Sequence, residues 1–255
     1  MDTEVRIVSV DETNVEKEGF FCYKSKPKTE GYQRKLAWLK ERFTEGMQIK
    51  ILYDGKRSFA FIEYIPGEYA WRAVHADDYM FIHCIWTVGS GKKKGYATRL
   101  LDLCIEEARA ANMKGVAMVT SSGVWLVDKK ILLKNGFEVV DHAPPKFDLL
   151  VKKFKDAPNP HFPVNWEERA AQFGDGLTVI RSDQCPYIPD AATAVQEYAG
   201  ENGLPFQVVE LRSAKEAQET SPSPYGLFSI VYNRQLLAYH YLLKKDFDKF
   251  IARLA

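Results

Sequence analysis

The stretch from Tyr79 to Ala111 constrains the fold of this 255-residue chain more than any other. The apolar, aromatic run Tyr79–Val88 predicts a central β-strand, and Tyr96–Ala111 repeats its apolar residues at helical spacing. Between them lies the turn Gly89-Ser-Gly-Lys-Lys-Lys-Gly95. Glycines let a ligand approach the backbone closely, and the first N–H groups of a helix have no partners of their own. The segment therefore predicts an anion site for a phosphate or pyrophosphate, with a solvated basic turn as the alternative.

This turn is not a Walker loop, because no Lys-Ser/Thr pair follows its last glycine, and it lacks the three-glycine spacing of a dinucleotide fingerprint. It resembles the coenzyme A loop of the GCN5-related N-acetyltransferases (GNAT), in which Gln/Arg-x-x-Gly-x-Gly/Ala opens a helix. Lys92–Ala97 fits that pattern, with lysine in place of the usual Gln or Arg. Asn135-Gly136-Phe137 is similar to a late helix–strand junction of the family. The resemblance covers about residues 4–154 and implies a mixed α/β sheet with the acyl-CoA N-acyltransferase fold.

The same resemblance implies acetyl-coenzyme A as the co-substrate and no metal. The pyrophosphate would lie on the N–H groups around Lys93–Thr98, and the pantetheine arm would run along Trp86–Val88. The acetyl carbonyl would point at a backbone N–H near Trp86, which would stabilise the oxyanion. The implied cofactor-binding residues are Trp86, Thr87, Val88, Lys92, Lys93, Lys94, Gly95, Tyr96, Ala97 and Thr98.

An amine acceptor must lose a proton before it attacks, which requires a base or a water chain. His83 and Cys84, on the predicted strand, are the candidate catalytic residues of this half. Histidine has a pKa suited to a base near neutrality, but the residue types favour a hydrogen-bonded structural histidine at His83 and a small core residue at Cys84. Strict alternation would place Cys84 with Ile82 and Trp86 on one face of the strand. The other face would carry His83, Ile85 and Thr87.

The family often carries a tyrosine acid a few residues before the Gly-Phe pair, but Ile131–Lys134 contains none. Ser121, Ser122 and Asp128 are polar residues nearby. Their residue types favour capping of the following helix, predicted over Leu126–Asn135, rather than catalysis.

Trp71 and Arg72 are the candidate substrate-binding residues. They lie in a predicted strand, Trp71–Val74, beside the presumed acceptor cleft. Arg72 could pair with a carboxylate of the substrate, or it could be a surface arginine stacked on an aromatic ring.

The proline-rich segment 155–165 predicts a stiff, extended linker. It divides the chain into an acetyltransferase domain, 1–154, and a smaller domain, 166–255. The order of predicted elements in the second domain, βαβ and then ββα, resembles the thioredoxin-like α/β fold. The two-domain arrangement, together with the segments AWRAV, IHCIW and KNGFEVVD, resembles the YoaP-type acetyltransferases of bacteria and archaea.

Cys185-Pro186-Tyr187-Ile188 is similar to the Cys-Pro-Tyr-Cys motif of glutaredoxins, with Ile188 in place of the second cysteine. The resemblance implies that Pro222 or Pro224 is the cis-proline facing Cys185. A thiol at a helix start has a lowered pKa, so Cys185 is the third candidate catalytic residue. The alternative is a leftover thiol used in packing or docking.

Composition limits the binding partners and the cellular location that we expect for the protein. Lys and Arg number 35 and Asp and Glu number 34, and a net charge of +1 argues against a binder of nucleic acid or of anionic membranes. No apolar run approaches the roughly 20 residues that span a bilayer, and the polar N-terminus does not resemble a signal peptide. Four dispersed cysteines suggest reduced thiols. We therefore expect a cytoplasmic protein.

The sequence thus predicts an N-acetyltransferase, an acyl-transferring enzyme that moves the acetyl group of acetyl-coenzyme A to the amine of a small-molecule acceptor by direct attack. Two alternatives stay open. One is a thiol-redox or thiol-carrier protein that uses Cys185, and the other is a non-catalytic sensor that binds acyl-coenzyme A. The sequence names neither the acceptor nor the oligomeric state.

Overall fold

The computed structural model describes residues 4–122 and 126–254. The chain forms two compact units, and each takes segments from more than one part of the sequence. The first unit consists of Met1–Pro27, Leu36–Ala70 and His75–Phe162, and the second of Lys28–Lys35, Trp71–Val74 and Pro163–Ala255. The last crossing between them, after Phe162, falls inside the segment predicted as a linker. The predicted domain limits stay a prediction.

A seven-stranded mixed sheet forms the first unit, in the order β1-β2-β3-β4-β5-β7-β6. Only the β4–β5 pair is parallel, and the other neighbours are antiparallel. This confirms the predicted mixed α/β class. The strands are β1 Val5–Val10, β2 Gln48–Asp54, β3 Arg57–Pro66, β4 Tyr79–Thr87, β5 Gly115–Ser121, β6 Glu138–Ala143 and β7 Phe147–Lys153.

Helix α3, Tyr96–Ala110, packs on one face of this sheet. Its apolar stripe, which includes Leu100, Leu101 and Cys104, is fully buried, as the helical spacing predicts. Gly136 ends the helix before β6 with φ +79°, a conformation that glycine adopts at little cost. The other helices of this part of the chain are α1 Val15–Glu18, α2 Glu30–Thr44, which begins in the second unit and ends in the first, and α4 Lys129–Lys134.

The second unit contains a four-stranded sheet in the order β11-β10-β8-β9. Its β8–β9 pair is parallel and its other pairs are antiparallel. The elements are α5 Trp166–Ala171, β8 Leu177–Arg181, α6 Ile188–Glu201, β9 Phe206–Glu210, α7 Ala214–Thr220, β10 Phe228–Tyr232, β11 Gln235–Ala238 and α8 Phe247–Ile251. The peptide bonds before Pro222 and Pro224 are both trans, so the prediction that one of them is a cis-proline is wrong.

Two predicted elements of the first 154 residues differ from the structure. Trp71–Val74 is not a strand, because the Val74 N–H bonds back to the Arg72 carbonyl at 2.8 Å and bends the chain. The helix predicted from Leu126 begins only at Lys129. It begins there because the Asp128 side chain accepts a hydrogen bond from the Lys130 N–H at 2.8 Å and caps the first turn, which is the role that its residue type favoured.

Candidate functional site

The start of α3 has the geometry of an anion site. Gly95 precedes the helix with φ +74°, and a Cβ at this position would meet no atom within 4 Å. Glycine is therefore favoured here by backbone conformation and not by lack of space. The N–H groups of Tyr96, Ala97 and Thr98 belong to the first turn, where a helix offers them no acceptor. They give this end of the helix a partial positive charge.

The three lysines of the turn have different surroundings. Lys92 and Lys93 are exposed. Lys94 donates to the Asp54 carboxylate at 2.9 Å, and Tyr96 donates to the same oxygen at 2.5 Å. The hydrogen bond to Asp54 raises the pKa of Lys94 and also that of Tyr96. Lys94 therefore has an internal partner, and Lys92 and Lys93 are the lysines whose charges are directed to solvent.

Strands β4 and β5 separate beside this turn. Their parallel pairing ends at Ile82 and Met118, although β4 continues to Thr87. The last residues of β4 remain paired with β3 on their other edge. The Val88 N–H donates to the Phe59 carbonyl of β3 at 2.8 Å. Because main-chain groups alternate along an antiparallel ladder, those of Thr87 and Ile85 point to the opposite edge, where the β4–β5 pairing has ended.

A β-bulge interrupts β4 where the two strands separate. Cys84 pairs with Glu63, and Ile82 pairs with Tyr64, so that His83 is the extra residue. The alternation predicted from the sequence is therefore wrong. Ile82 and Ile85 both belong to the core beneath α3. Cys84 and Trp86 consequently lie on the opposite face from Ile82, because the bulge shifts the side-chain phase by one residue.

His83 is buried, with 1% of its surface exposed, and its ring lies near those of Phe81 and Trp38. Its Nδ1 is 3.6 Å from Oε1 of Glu63, which is also 1% exposed. His83 and Glu63 are thus two buried ionisable side chains near aromatic rings, and they lie where β4 leaves β5. The sequence did not identify Glu63 as a site residue, because the residue type alone does not show whether a glutamate in a predicted strand is buried.

Over 252 residues, 97% of this chain and 99% of the relative, the chain is 30% identical to the "Uncharacterized N-acetyltransferase YoaP" of Bacillus subtilis (strain 168). The chain belongs to the GNAT family of N-acetyltransferases. Solved structures with a partial likeness include an acetyltransferase from Thermus thermophilus, 11% identical over 60% of this chain and 100% of that one, with a TM-score of 0.43. The PaiA N-acetyltransferase from Thermoplasma acidophilum, solved in complex with coenzyme A, is 13% identical over 60% and 100%, with a TM-score of 0.40. No family model matches the chain.

In this GNAT protein the predicted cofactor residues Trp86–Val88 and Lys92–Thr98 come together along the end of β4 and the start of α3. Trp86 is 36% exposed, whereas the Thr87 hydroxyl is buried. His83 and Cys84 lie at the bulge on the same strand. Their assignment to the cofactor and to catalysis stays a prediction.

The other predicted site residues of the acetyltransferase lie in the second unit. Trp71 and Arg72 are 1% and 2% exposed. Arg72 donates to Oε1 of Gln184 at 2.5 Å and to the Trp71 carbonyl at 2.8 Å, and its guanidinium lies 5.7 Å from the centre of the Tyr225 ring. Arg72 therefore does lie against an aromatic ring, as the alternative of a stacked arginine predicted, but it is buried and not at the surface. A contact between Arg72 and a substrate stays a prediction.

Cys185 is half-buried, and its neighbours pack against other segments of the same unit. A Cβ on Gly31 would lie 1.9 Å from the Pro186 carbonyl oxygen, so the chain at Gly31 rests directly on the Cys-Pro motif. Gln184, on the other side of Cys185, accepts the hydrogen bond from Arg72. This packing, together with the lack of a second cysteine in the motif, does not favour the thiol-redox alternative.

Two kinds of feature are absent from the described residues, 4–122 and 126–254. These residues contain no group of three or more His, Cys, Asp and Glu side chains arranged to hold a metal ion. No helix among them has the length and apolar composition needed to cross a membrane.

Proposed function

We propose that the chain uses acetyl-coenzyme A to acetylate the amine of a small-molecule acceptor by direct attack. One observation carries the proposal. In a chain of the GNAT family, β4 leaves β5 beside a glycine-led helix start, so a free strand edge and an anion site lie next to each other. From His83 to Val88 the strand advances about 16 Å at about 3.3 Å per residue, which suits an extended pantetheine arm.

The residues divide into three tasks. The N–H groups of Tyr96–Thr98, with Lys92 and Lys93, bind the pyrophosphate. The main-chain groups of Thr87 bind the pantetheine arm at the free edge. Acetyl-coenzyme A, when bound, supplies an acetyl group activated as a thioester. The N–H of Ile85, the free-edge donor nearest the bulge, stabilises the oxyanion that forms when the amine attacks the carbonyl.

His83 is the proposed base. It accepts the proton that the ammonium form of the acceptor must lose before its nitrogen forms the new C–N bond. Glu63 holds the imidazole in one orientation and stabilises its protonated form, and is therefore a positioning residue. Cys84, adjacent to His83, remains the second candidate on this strand. The attacking nitrogen loses its second proton as the amide forms. The departing thiolate, released as the C–S bond breaks, takes up one of the two protons that the amine has lost, and the other goes to solvent.

Calorimetric titration of the full chain with coenzyme A tests the binding step. We expect one site per chain. Replacement of both Lys92 and Lys93 with Met should weaken binding about 3- to 30-fold and flatten its salt dependence, because each exposed ion pair contributes up to about 1 kcal/mol. The matched control replaces Lys244 and Lys245, an exposed pair in the second unit, and should leave the affinity unchanged. Absence of binding by the unmodified chain would refute the proposal.

Turnover separates an enzyme from a sensor. Release of free coenzyme A, followed with a thiol reagent across a panel of primary amines, should exceed the rate without amine. Coenzyme A binding without turnover of any amine would favour the non-catalytic sensor.

A further inference from the structure

Two exposed histidines lie side by side in the first unit. His75 and His161 form an isolated antiparallel bridge. The main-chain N–H of His75 donates to the His161 carbonyl at 2.9 Å, and the N–H of His161 donates to the His75 carbonyl at 3.1 Å. The centres of the two imidazole rings are 4.9 Å apart, and the ring planes meet at 32°. The fold thus holds two side chains of the type that most often binds metal ions next to each other at the surface, although they are distant in the sequence.

The backbone on both sides of this bridge is fixed by further contacts. Before His161, the Pro158 carbonyl accepts a hydrogen bond from the Tyr79 hydroxyl at 2.7 Å. After it, the Phe162 N–H donates to the Asp141 carboxylate at 2.8 Å. The two imidazoles therefore stand on main chain that is already ordered, and a ligand that joins them would not have to order the backbone first.

The distance between the rings suits two ligands of one ion. A metal ion bound to an imidazole nitrogen at about 2.0–2.1 Å lies about 3.2 Å from the centre of that ring. Two ring centres 4.9 Å apart then subtend about 100° at a shared ion, between the angle of about 90° of adjacent square-planar ligands and that of about 109° in a tetrahedron. Exposed side chains rotate freely enough to aim one nitrogen each at the ion, and the other nitrogen of each ring can keep a hydrogen bond.

We propose that His75 and His161 form a two-histidine site for a divalent transition-metal ion of the kind that imidazole favours, namely Cu²⁺, Ni²⁺ or Zn²⁺. Mg²⁺ and Ca²⁺ do not fit, because they bind oxygen ligands. No third His, Cys, Asp or Glu among residues 4–122 and 126–254 completes a ligand set here, so water fills the remaining positions. The ion takes no part in acetyl transfer, and the inference is independent of the proposed function. It would fasten together two segments of the first unit that the main-chain bridge already joins.

Calorimetric titration of Ni²⁺ into the full chain, prepared without a histidine tag, tests the site. We expect one ion per chain. His75→Asn and His161→Asn should each weaken binding at least about tenfold, because the second imidazole binds the same ion intramolecularly and at a high effective concentration. His142→Asn, which replaces another exposed histidine of the first unit, is the matched control and should bind like the parent. No binding by the parent, or binding that neither single variant weakens, would overturn the inference. Halved stoichiometry at unchanged affinity in each single variant would also overturn it, because the two histidines would then bind separate ions.

Thermal unfolding supplies a second readout. The two histidines come together only in the folded chain, so bound Ni²⁺ should raise the melting temperature of the parent and of His142→Asn. It should not raise that of His75→Asn or His161→Asn, and Mg²⁺ should change none of the four. Without metal, the single variants should melt like the parent, because the bridge uses main-chain groups and both side chains are exposed. An equal rise with Ni²⁺ in the parent and in both single variants would place the ion elsewhere and overturn the inference.

Discussion

Introducing a negative charge at Gly95 tests the anion site directly. The backbone here has φ +74°, and Asp and Asn are the non-glycine residues that tolerate such a conformation best. A side chain at this position meets no atom within 4 Å, so both substitutions fit without a clash. Each costs on the order of 1 kcal/mol of backbone strain relative to glycine. Because that cost is common to Gly95→Asp and Gly95→Asn, the ratio of their affinities isolates the charge.

The size of the charge effect follows from Coulomb's law. A carboxylate about 5 Å from one phosphate charge, at an effective dielectric constant of about 20, raises the free energy by about 3 kcal/mol. Solvent and salt at this exposed turn reduce the repulsion to about 1–2 kcal/mol, or about 5- to 30-fold in affinity. The coenzyme A affinity of Gly95→Asn should lie between those of Gly95→Asp and the parent chain, because this variant has the backbone strain but not the negative charge.

Calorimetry with coenzyme A at low and physiological salt measures these ratios. Gly203 supplies the control, since it has φ +64°, lies in the second unit and offers a Cβ open space, with no atom within 4 Å. Its Asp and Asn variants should bind coenzyme A equally and like the parent. If Gly95→Asp and Gly95→Asn also have equal affinities at low salt, the pyrophosphate does not lie at this helix start and the reasoning fails.

Two further predictions concern stability. Tyr64, fully buried, donates to the Glu107 carboxylate at 2.5 Å, so Tyr64→Phe should lower the free energy of unfolding by about 1–2 kcal/mol, and an unchanged urea midpoint would contradict this. Burial of Glu210 opposes its ionisation, but its contacts with Arg181 and Arg34 outweigh that effect and lower its pKa. The stability that ionised Glu210 contributes is therefore present above the pKa of this carboxyl in the unfolded chain. It is lost as pH falls through the lower pKa of the same carboxyl in the folded chain. Glu210→Gln should lower the free energy of unfolding by no more than about 1 kcal/mol at neutral pH, since the side chain is 44% exposed. Near pH 2 it should leave that free energy unchanged. Urea titrations at both pH values test this.

Local sequence was sufficient for the elements around the predicted cofactor site. The apolar stripe of α3 is long and strongly periodic, and the glycine turn before it has few alternative conformations. Tyr79–Val88 is apolar enough to identify a central strand, and β4 ends one residue before the predicted limit. Mixed α/β class and the strand–turn–helix order could therefore be predicted, because they depend on periods of two and 3.6 residues within one segment.

The missed features depend on pairing between distant segments. The bulge at His83 exists only relative to β3, because an extra residue on one strand is defined by the register of its partner. The contact between Asp54 and Lys94 joins residues 40 positions apart. Trp71–Val74 has strand-like composition, yet it belongs to the second unit and bends there. In each case tertiary packing overrides a correct local reading of the residue types.

The bulge also explains why one strand can serve both the core and the site. Without it, strict alternation would place Cys84 and Trp86 beneath α3 with Ile82, and Ile85 on the opposite face with Phe81. One extra residue at His83 keeps Ile82 and Ile85 in the core, while Cys84 and Trp86 join the face that carries Phe81 and Glu63. The same interruption lies directly after Ile82, where pairing with β5 stops. A chain with His83 deleted would pair regularly with β3 and keep Ile85 in the core and Cys84 and Trp86 on their present face, but it would lose its candidate base and the interruption at which β4 leaves β5. The extra residue at His83 is therefore a structural determinant of the proposed active site.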